Sequence, residues 1–143
     1  MEVTPDSASV PEGFTPHFRK SPLTDPWEPI YSRVTPQAVI LGLRLASAHT
    51  NSRGFAHGGL ISALADNAMG LSCGMRLNMK GAGLVTVSLS VDFMGRAAIG
   101  QWIEIRTDFV KTGRALCFAQ CFVSADDKIV AKASASFHVP PVA

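Results

Sequence analysis

The most regular pattern in the chain is a two-residue alternation of apolar and polar side chains that begins at residue 85. The apolar positions of this stretch, "VTVSLSVDF", are Val85, Val87, Leu89, Val91 and Phe93. Such alternation predicts a β-strand with one apolar face. Three later stretches predict strands joined by short turns: "QWIEIRTDFVK", "ALCFAQCFVSA" and "KIVAKASASFHV", the last with Ile129, Ala131, Ala133, Ala135 and Phe137 on one side.

Upstream of these strands the spacing of apolar residues becomes helical. No proline occurs between Gly58 and about Leu77, and one face collects Leu60, Leu64, Ala68, Leu71 and Met75. Because Ile61, Ala65 and Met69 widen this face, we expect the helix to be buried and not laid on a surface. Before it, residues 38–50 ("AVILGLRLASAHT") predict a strand with Val39, Leu41, Leu43 and Leu45 on one side.

The N-terminal region is rich in proline. Residues 1–13 are predicted to form a flexible arm, and residues 14–143 a single domain. Five prolines between residues 14 and 36 exclude a long helix there. A short helical turn around Phe14 to Lys20 and a short first strand in "WEPIYSRV" are the elements we expect.

The predicted order is therefore a strand, one long helix and four strands joined by short turns. Short connections make neighbouring strands antiparallel, so the expected class is α+β. A curved antiparallel sheet of five to six strands wrapped round a long central helix is the hotdog fold. The free edge strand of such a sheet favours pairing with a second copy of the chain.

Charge, hydropathy and cysteine content limit the possible partners and the location of the protein. The net charge of +2 is too small to indicate a nucleic-acid partner, and no apolar run is long enough to span a bilayer. The three cysteines and the absence of a signal peptide predict a cytoplasmic protein. Because His49, His57 and Cys73 match no metal-ligand spacing, no metal and no cofactor are predicted.

Two short motifs point to acyl transfer. One is Gly70-Leu71-Ser72-Cys73-Gly74, a G-x-S-x-G sequence that carries the nucleophile of α/β-hydrolases on a strand–turn–helix. Here it continues the helical pattern and no strand precedes it. Small residues four apart on a helix also permit close packing, which is the interpretation we favour for Gly70 and Gly74.

The other motif is His57-Gly58-Gly59, which lies where the helix is predicted to begin. Backbone N–H groups at this position have no intrahelical acceptor and carry partial positive charge. They could stabilise an oxyanion, and glycine would allow a substrate to approach closely. The alternative is that Gly58 and Gly59 only permit a tight turn.

Asp66 favours the first interpretation, because a carboxylate inside an apolar helix is costly unless it is paired or used. It could serve as general base or nucleophile, or hold a subunit contact together with Asn67. Gly58 and Asp66 lie eight residues apart, which is about 12 Å along a helix. One chain therefore cannot bring both to one reacting carbon, and a two-fold dimer with antiparallel helices could.

With these residues assembled, the chain resembles the PaaI-like branch of the hotdog-fold thioesterases. The matching elements are Asn51, "GFAHGG", Asp66-Asn67, Gly70 and the strand "TVSLSVDFM", within roughly residues 25–140. The resemblance implies hydrolysis of an acyl-CoA thioester to free acid and CoA by a homodimer or a dimer of dimers. One departure is "GRAAIG" after the strand, where the family commonly has a proline.

The resemblance also implies roles for single residues. The Gly58 N–H would polarise the thioester carbonyl, with Asn51 near it or near the attacking water. Asp66 of the partner chain would act as base or nucleophile, Thr86 would orient the water or the Asp, and His57 would fix the loop. Substrate contacts are expected from Gly59 and Asn67, and phosphate contacts from Arg96 and Arg114, or else from Arg53, Arg76 or Lys111.

Two other functions remain compatible with the sequence. A hotdog hydratase usually needs a catalytic His paired with an acid on the helix, whereas His57 precedes the helix. A non-catalytic acyl-CoA binding protein would bind substrate without turnover. The sequence does not select among aryl-acetyl, short and medium acyl groups.

Overall fold

The computed structural model describes residues 10–79 and 83–141, so the first nine residues of the predicted arm lie outside the described residues. The long helix, α1, spans Gly58–Arg76, within one residue of its predicted end. The strands are β1 (Thr15–Pro16), β2 (Tyr31–Val34), β3 (Val39–Arg44), β4 (Val85–Phe93), β5 (Trp102–Lys111), β6 (Leu116–Ala125) and β7 (Lys128–His138).

These strands form one antiparallel sheet in the order β1-β2-β3-β5-β6-β7-β4, against which α1 packs. The α+β class and the hotdog fold predicted from the sequence are thus confirmed. The short first strand expected in "WEPIYSRV" is β2, and the sheet has seven strands, not the expected five to six, because the proline-rich segment adds β1 as well. The helical turn expected around Phe14 to Lys20 is wrong: Thr15 pairs with Ser32 and Pro16 with Tyr31 at an edge of the sheet, where proline is tolerated.

The core lies between one side of α1 and one face of the sheet. Its most deeply buried helical side chains include Leu64, Ala65, Ala68 and Met69. As expected, α1 is buried against the sheet, but in a single chain a stripe along its other side keeps solvent contact. This open stripe of α1 consists of Ser62, Ala63, Asp66, Asn67 and Gly70.

The edge strand β4 contains a bulge that the alternating pattern did not predict. Thr86 pairs with Phe137 and Ser88 with Ser136, so the register shifts between the two pairs. Phe137 is buried against the helix, which puts Thr86 on the helix side of the sheet, whereas Ser88 bonds Ser136 on the outer side. A bulge re-aims side chains in this way because it inserts one residue into the two-residue period.

Because of the bulge, the predicted apolar face of β4 is wrong at Val85. Leu89, Val91 and Phe93 pair with the inward-facing alanines of β7, as expected, but Val85 pairs with exposed His138. Val85 remains 63% exposed, so the alternation changes phase along this strand.

A second shift, between Val123 and Ser124, affects the predicted inner face of β7. Ile129 was expected inside and is 47% exposed, whereas Val130 is buried in its place.

Candidate active site at the open side of the helix

Asp66 lies midway along α1 and is half-buried. Its Oδ1 accepts a hydrogen bond from the Oγ1–H of Thr86, at 2.7 Å. The bulge in β4 makes this bond possible, because without the phase change Thr86 would point to the outer side of the sheet. The structure thus brings together two residues that the sequence proposed for one site.

A cavity of about 530 Å³ opens beside this pair, which is a usual size for a small-molecule site. Asp66, Asn67 and Thr86 supply polar groups to its wall. Much of the remaining wall is apolar and is formed by Ile30, Val34, Val39, Leu41, Leu64, Leu71, Met75, Met79, Leu84 and Phe137. The arrangement places one carboxylate next to a largely apolar chamber.

The helix N-terminus forms the second polar feature. His57 is the N-cap residue, and its Nδ1 accepts a hydrogen bond from the Gly59 N–H at 2.8 Å. Within residues 10–79 and 83–141, the N–H of Gly58 has no hydrogen-bond acceptor. It is therefore a free donor at the positive end of the helix dipole.

The turn before this donor is held by His49, a residue that the sequence did not single out for this role. The backbone O of His49 accepts from the His57 N–H at 3.0 Å. Its ring Nδ1 accepts from the Ala46 N–H, at 2.9 Å, so Nε2 donates to the Trp27 carbonyl, at 2.8 Å. His49 is 3% exposed and fully used by these bonds. Nothing in the local sequence signals this, since Trp27 lies in another segment.

Asn51 organises the loop that leads into the turn. Its Oδ1 accepts from the N–H groups of Arg53, at 2.9 Å, and of Phe55, at 3.3 Å. Gly54 adopts a φ of +81°, a conformation that favours glycine. The carboxamide oxygen of Asn51 is thus committed to the loop, and its predicted place near the carbonyl or the water stays a prediction.

The two polar features face different pockets of the same chain. Asp66 and Asn67 line the larger cavity, whereas His57 and Gly59 line a smaller one beside Leu60 and Ala63. Both pockets border the open stripe of α1, the larger through Asp66, Asn67 and Gly70 and the smaller through Ala63.

Ser72, the serine of the G-x-S-x-G sequence, lies inside the helix with no exposed surface. Its Oγ–H donates to the Ala68 carbonyl at 2.7 Å, and its Oγ accepts from the Val39 N–H at 3.1 Å. An added Cβ at Gly70 would lie 3.3 Å from the Phe137 ring, so this glycine serves close packing. Ser72 therefore links the helix to β3. The close packing predicted for both glycines holds for Gly70 and not for Gly74, where an added Cβ would meet only Leu84, at 4.0 Å.

The cysteine thiols are equally buried. Burial raises the pKa of Cys73 well above its usual range, and burial raises the pKa of Cys121 to about 12. Both thiols therefore stay protonated at neutral pH and are poor nucleophiles.

The arginines proposed for phosphate binding lie away from the cavity. Arg96 stacks over the Phe55 ring, with 5.1 Å between its Cζ and the ring centroid, and Arg114 is exposed in the turn between β5 and β6. Neither residue lines the cavity, whereas His17, Arg19 and Lys20 do. No sequence signal pointed to these three, because the segment carrying them was predicted as a helical turn without a role.

Residues 10–79 and 83–141 contain no group of three or more His, Cys, Asp or Glu side chains that could hold a metal ion. None of the helices in these residues is both long enough and apolar enough to cross a membrane.

Comparison with known proteins identifies the family. The model of the Thioesterase superfamily matches residues 53–132. The chain is 41% identical over 133 residues, 92% of its length and 98% of the relative's, to the Pseudomonas aeruginosa protein named "Putative esterase PA0474". It is 32% identical to human acyl-coenzyme A thioesterase 13, over 73% of this chain and 74% of that one.

A solved structure of similar fold is that of the phenylacetic acid degradation protein PaaI from Thermus thermophilus. Its TM-score is 0.73 at 22% identity, over 84% of this chain and all of that one. The hypothetical thioesterase protein from Streptococcus pneumoniae, solved with coenzyme A, has a TM-score of 0.70 at 22% identity, over 78% and 86% of the two chains. The chain belongs to the Thioesterase superfamily, and its hotdog fold is similar to that of PaaI.

Proposed function

We propose that the protein hydrolyses an acyl-CoA thioester to a free acid and CoA, at a site shared by two copies of the chain. The observation that carries the proposal is the Asp66 carboxylate, bonded to Thr86 at the wall of a largely apolar cavity. Membership of the Thioesterase superfamily supports thioester hydrolysis as the reaction. The similarity to an acyl-coenzyme A thioesterase supports CoA as the leaving thiol.

In the proposed reaction, the thioester carbonyl accepts a hydrogen bond from the Gly58 N–H. Asp66 of the other chain removes a proton from water, whose oxygen attacks the carbonyl carbon. The carbonyl oxygen becomes an oxyanion at Gly58 and is stabilised there. Collapse of this intermediate breaks the C–S bond, and the thiolate leaves and takes up the proton.

Asp66 could instead attack the carbonyl carbon itself and form an acyl anhydride that water then hydrolyses. The two routes differ in the source of the oxygen atom. A single turnover in ¹⁸O-labelled water puts the label in the product acid if Asp66 is a base. Label in the Asp66 carboxylate arises only when water attacks Cγ of the anhydride, so it would identify Asp66 as the nucleophile.

The shared site follows from helix geometry. Gly58 and Asp66 are separated by about 12 Å along α1, and an attacking group must lie about 3 Å from the carbon it attacks. If α1 of a second chain runs antiparallel along the open stripe, Gly58 of each chain faces Asp66 of the other. The two-fold axis then passes near Ser62, midway between the two residues.

The open stripe suits such a contact. Ser62, Ala63 and Gly70 are small, and Asn67 is an exposed polar residue that could pair across the interface. The edge strand β4 adds exposed Val87 and a free row of backbone groups for pairing with its copy. We therefore propose a homodimer, or a dimer of such dimers, and keep the cytoplasm as its proposed location.

The remaining residues have supporting roles in this proposal. Thr86 orients the Asp66 carboxylate, His57 caps the helix, and Asn51 holds the loop before it. The apolar cavity receives the acyl group.

A thiol-release assay over aryl-acetyl, short-chain and medium-chain acyl-CoAs tests the function, with Asp66→Ala beside the wild-type protein. The wild type should release CoA from at least one substrate, and the variant should lose most of this activity. Binding without turnover in the wild type would identify a non-catalytic acyl-CoA binding protein instead. Full activity in the variant would rule out the proposed mechanism.

A further inference from the structure

The segment from His17 to Ser21 forms part of the wall of the Asp66 cavity. Its position is fixed by the His17 N–H, which donates to the carbonyl of buried Ile30 at 2.9 Å. Ile30 lines the same cavity, so this hydrogen bond holds the segment against the cavity wall.

The His17 side chain is an unusual component of this wall. It is 6% exposed, and its Nδ1 is buried without a hydrogen-bond partner in the described part of the chain. Burial lowers the pKa of His17, although Glu28 opposes this effect, so the ring is neutral at neutral pH. A neutral imidazole still offers one N–H donor, and an unmade bond of a buried group is costly.

Next to His17 the wall carries two cations. Lys20 is paired with Glu28, with 3.1 Å between Nζ and Oε1. Arg19 is exposed and has no ion-pair partner among residues 10–79 and 83–141. Among the described residues of the cavity wall, the only carboxylate is that of Asp66, to which Thr86 and not Arg19 is bonded. Arg19 is therefore a cation that the described chain leaves available to a ligand.

We propose that Arg19, with Lys20 and His17 beside it, forms an anion subsite that binds a phosphate or carboxylate group of the thioester substrate. The inference rests on the proposed function, since it assigns a subsite to the same cavity. Arginine suits both anions because its planar guanidinium donates two parallel hydrogen bonds to their oxygens. The anion has two possible sources: the phosphates of CoA, or a carboxylate at the far end of the acyl group.

Four substrates separate the two sources. They are a medium-chain acyl-CoA, the same acyl group on N-acetylcysteamine, which lacks phosphates, and the ω-carboxy form of each. Arg19→Gln should raise KM about tenfold on the substrates that carry the bound anion, because a charge-assisted bond is lost. An effect confined to the two CoA substrates assigns the phosphates, and one confined to the two ω-carboxy substrates assigns the acyl carboxylate.

Two variants serve as controls. Arg19→Lys keeps the charge, so its KM should rise less than that of Arg19→Gln. Arg106→Gln removes an exposed arginine that bonds Glu104 and does not line the cavity, so its KM values should equal those of the wild type. If Arg19→Gln leaves all four KM values unchanged, or changes all four substrates equally, the anion subsite is overturned.

A binding measurement keeps this inference separate from the proposed function. If the wild type hydrolyses no thioester, the proposed function fails, and calorimetric titration with CoA and with a free dicarboxylic acid still tests the subsite. The wild type should bind one of these ligands about tenfold more tightly than Arg19→Gln does. Equal affinities in the two proteins, or no binding by the wild type, would contradict the anion subsite.

Discussion

Two polar residues of the same helix, Asp66 and Ser72, show how differently one element can use its polar positions. Ser72 has no exposed surface, and both of its hydrogen bonds go to backbone groups of α1 and β3. Asp66 lies on the open stripe, bonds the side chain of Thr86 and borders a cavity. Ser72 therefore has a structural role although its sequence resembles a nucleophile motif. The carboxylate of Asp66 remains accessible to a substrate in the cavity.

The largest expected effect comes from Asp66→Asn, which keeps the shape of the side chain and an oxygen for Thr86 but removes the charge. We expect kcat to fall about 10²- to 10⁴-fold, since that is the usual contribution of a general base. Thermal unfolding should change little. Steady-state thiol release measures kcat, and a melting curve measures thermal stability. A wild-type kcat in this variant would mean that Asp66, like Ser72, has only a structural role.

The next largest effect is expected from Gly58→Pro, which deletes the free N–H at the first helical position. Proline is favoured at that position, and His57 already has the extended conformation that precedes proline, so the fold should tolerate the change. We expect a loss of about 10²- to 10³-fold in kcat, measured by steady-state thiol release.

Gly58→Ala is the matched control for this prediction. Its added Cβ meets the Phe93 ring at 3.2 Å, as that of proline would, but the N–H remains. The alanine variant should therefore be much more active than the proline variant. Equal losses in the two would show that crowding by Phe93, and not the missing donor, causes the effect.

A smaller loss is expected from Thr86→Val, which replaces the hydroxyl by a methyl group of similar size. Loss of the 2.7 Å bond should lower kcat about fivefold to tenfold, because Asp66 is then less well oriented. Thr86→Ser restores the hydroxyl and should recover most of the activity. A Val variant as active as wild type would remove Thr86 from the proposed site.

The smallest effect on activity is expected from Ser72→Ala, and here stability changes instead. The substitution leaves the buried N–H of Val39 without its acceptor, which costs about 1–3 kcal/mol in the free energy of unfolding. Chemical denaturation measures this cost, and the thiol-release assay should give the wild-type kcat. A loss of kcat in the folded variant would mean that the comparison between the two residues fails.

The helix and the strands of the second half could be predicted from sequence because their periodicity extends over many residues. The contact between Thr86 and Asp66 could not be derived from that pattern. The alternation in β4 put Thr86 with Ser88 and Ser90, and the bulge that reverses its direction is a matter of register with β7. Only the family resemblance indicated that the two residues lie close together.

The basic residues in the cavity wall could not be predicted from the sequence either. Arg19 and His17 lie in a proline-rich segment without periodicity, and their place depends on the pairing of β1 with β2. The spacing of Gly58 and Asp66 predicts that a single chain holds only half of each site, because helical rise converts a residue count directly into a distance, and this stays a prediction.

The most direct test of the shared site uses one chain with Asp66→Asn and one with Gly58→Pro, co-expressed with different tags and purified as the heterodimer. Each homodimer should be nearly inactive. The heterodimer contains one site with both changes and one site with neither, so it should show about half of the wild-type kcat per dimer. A heterodimer as inactive as the two homodimers would contradict the account, because Gly58 and Asp66 would then have to act within one chain.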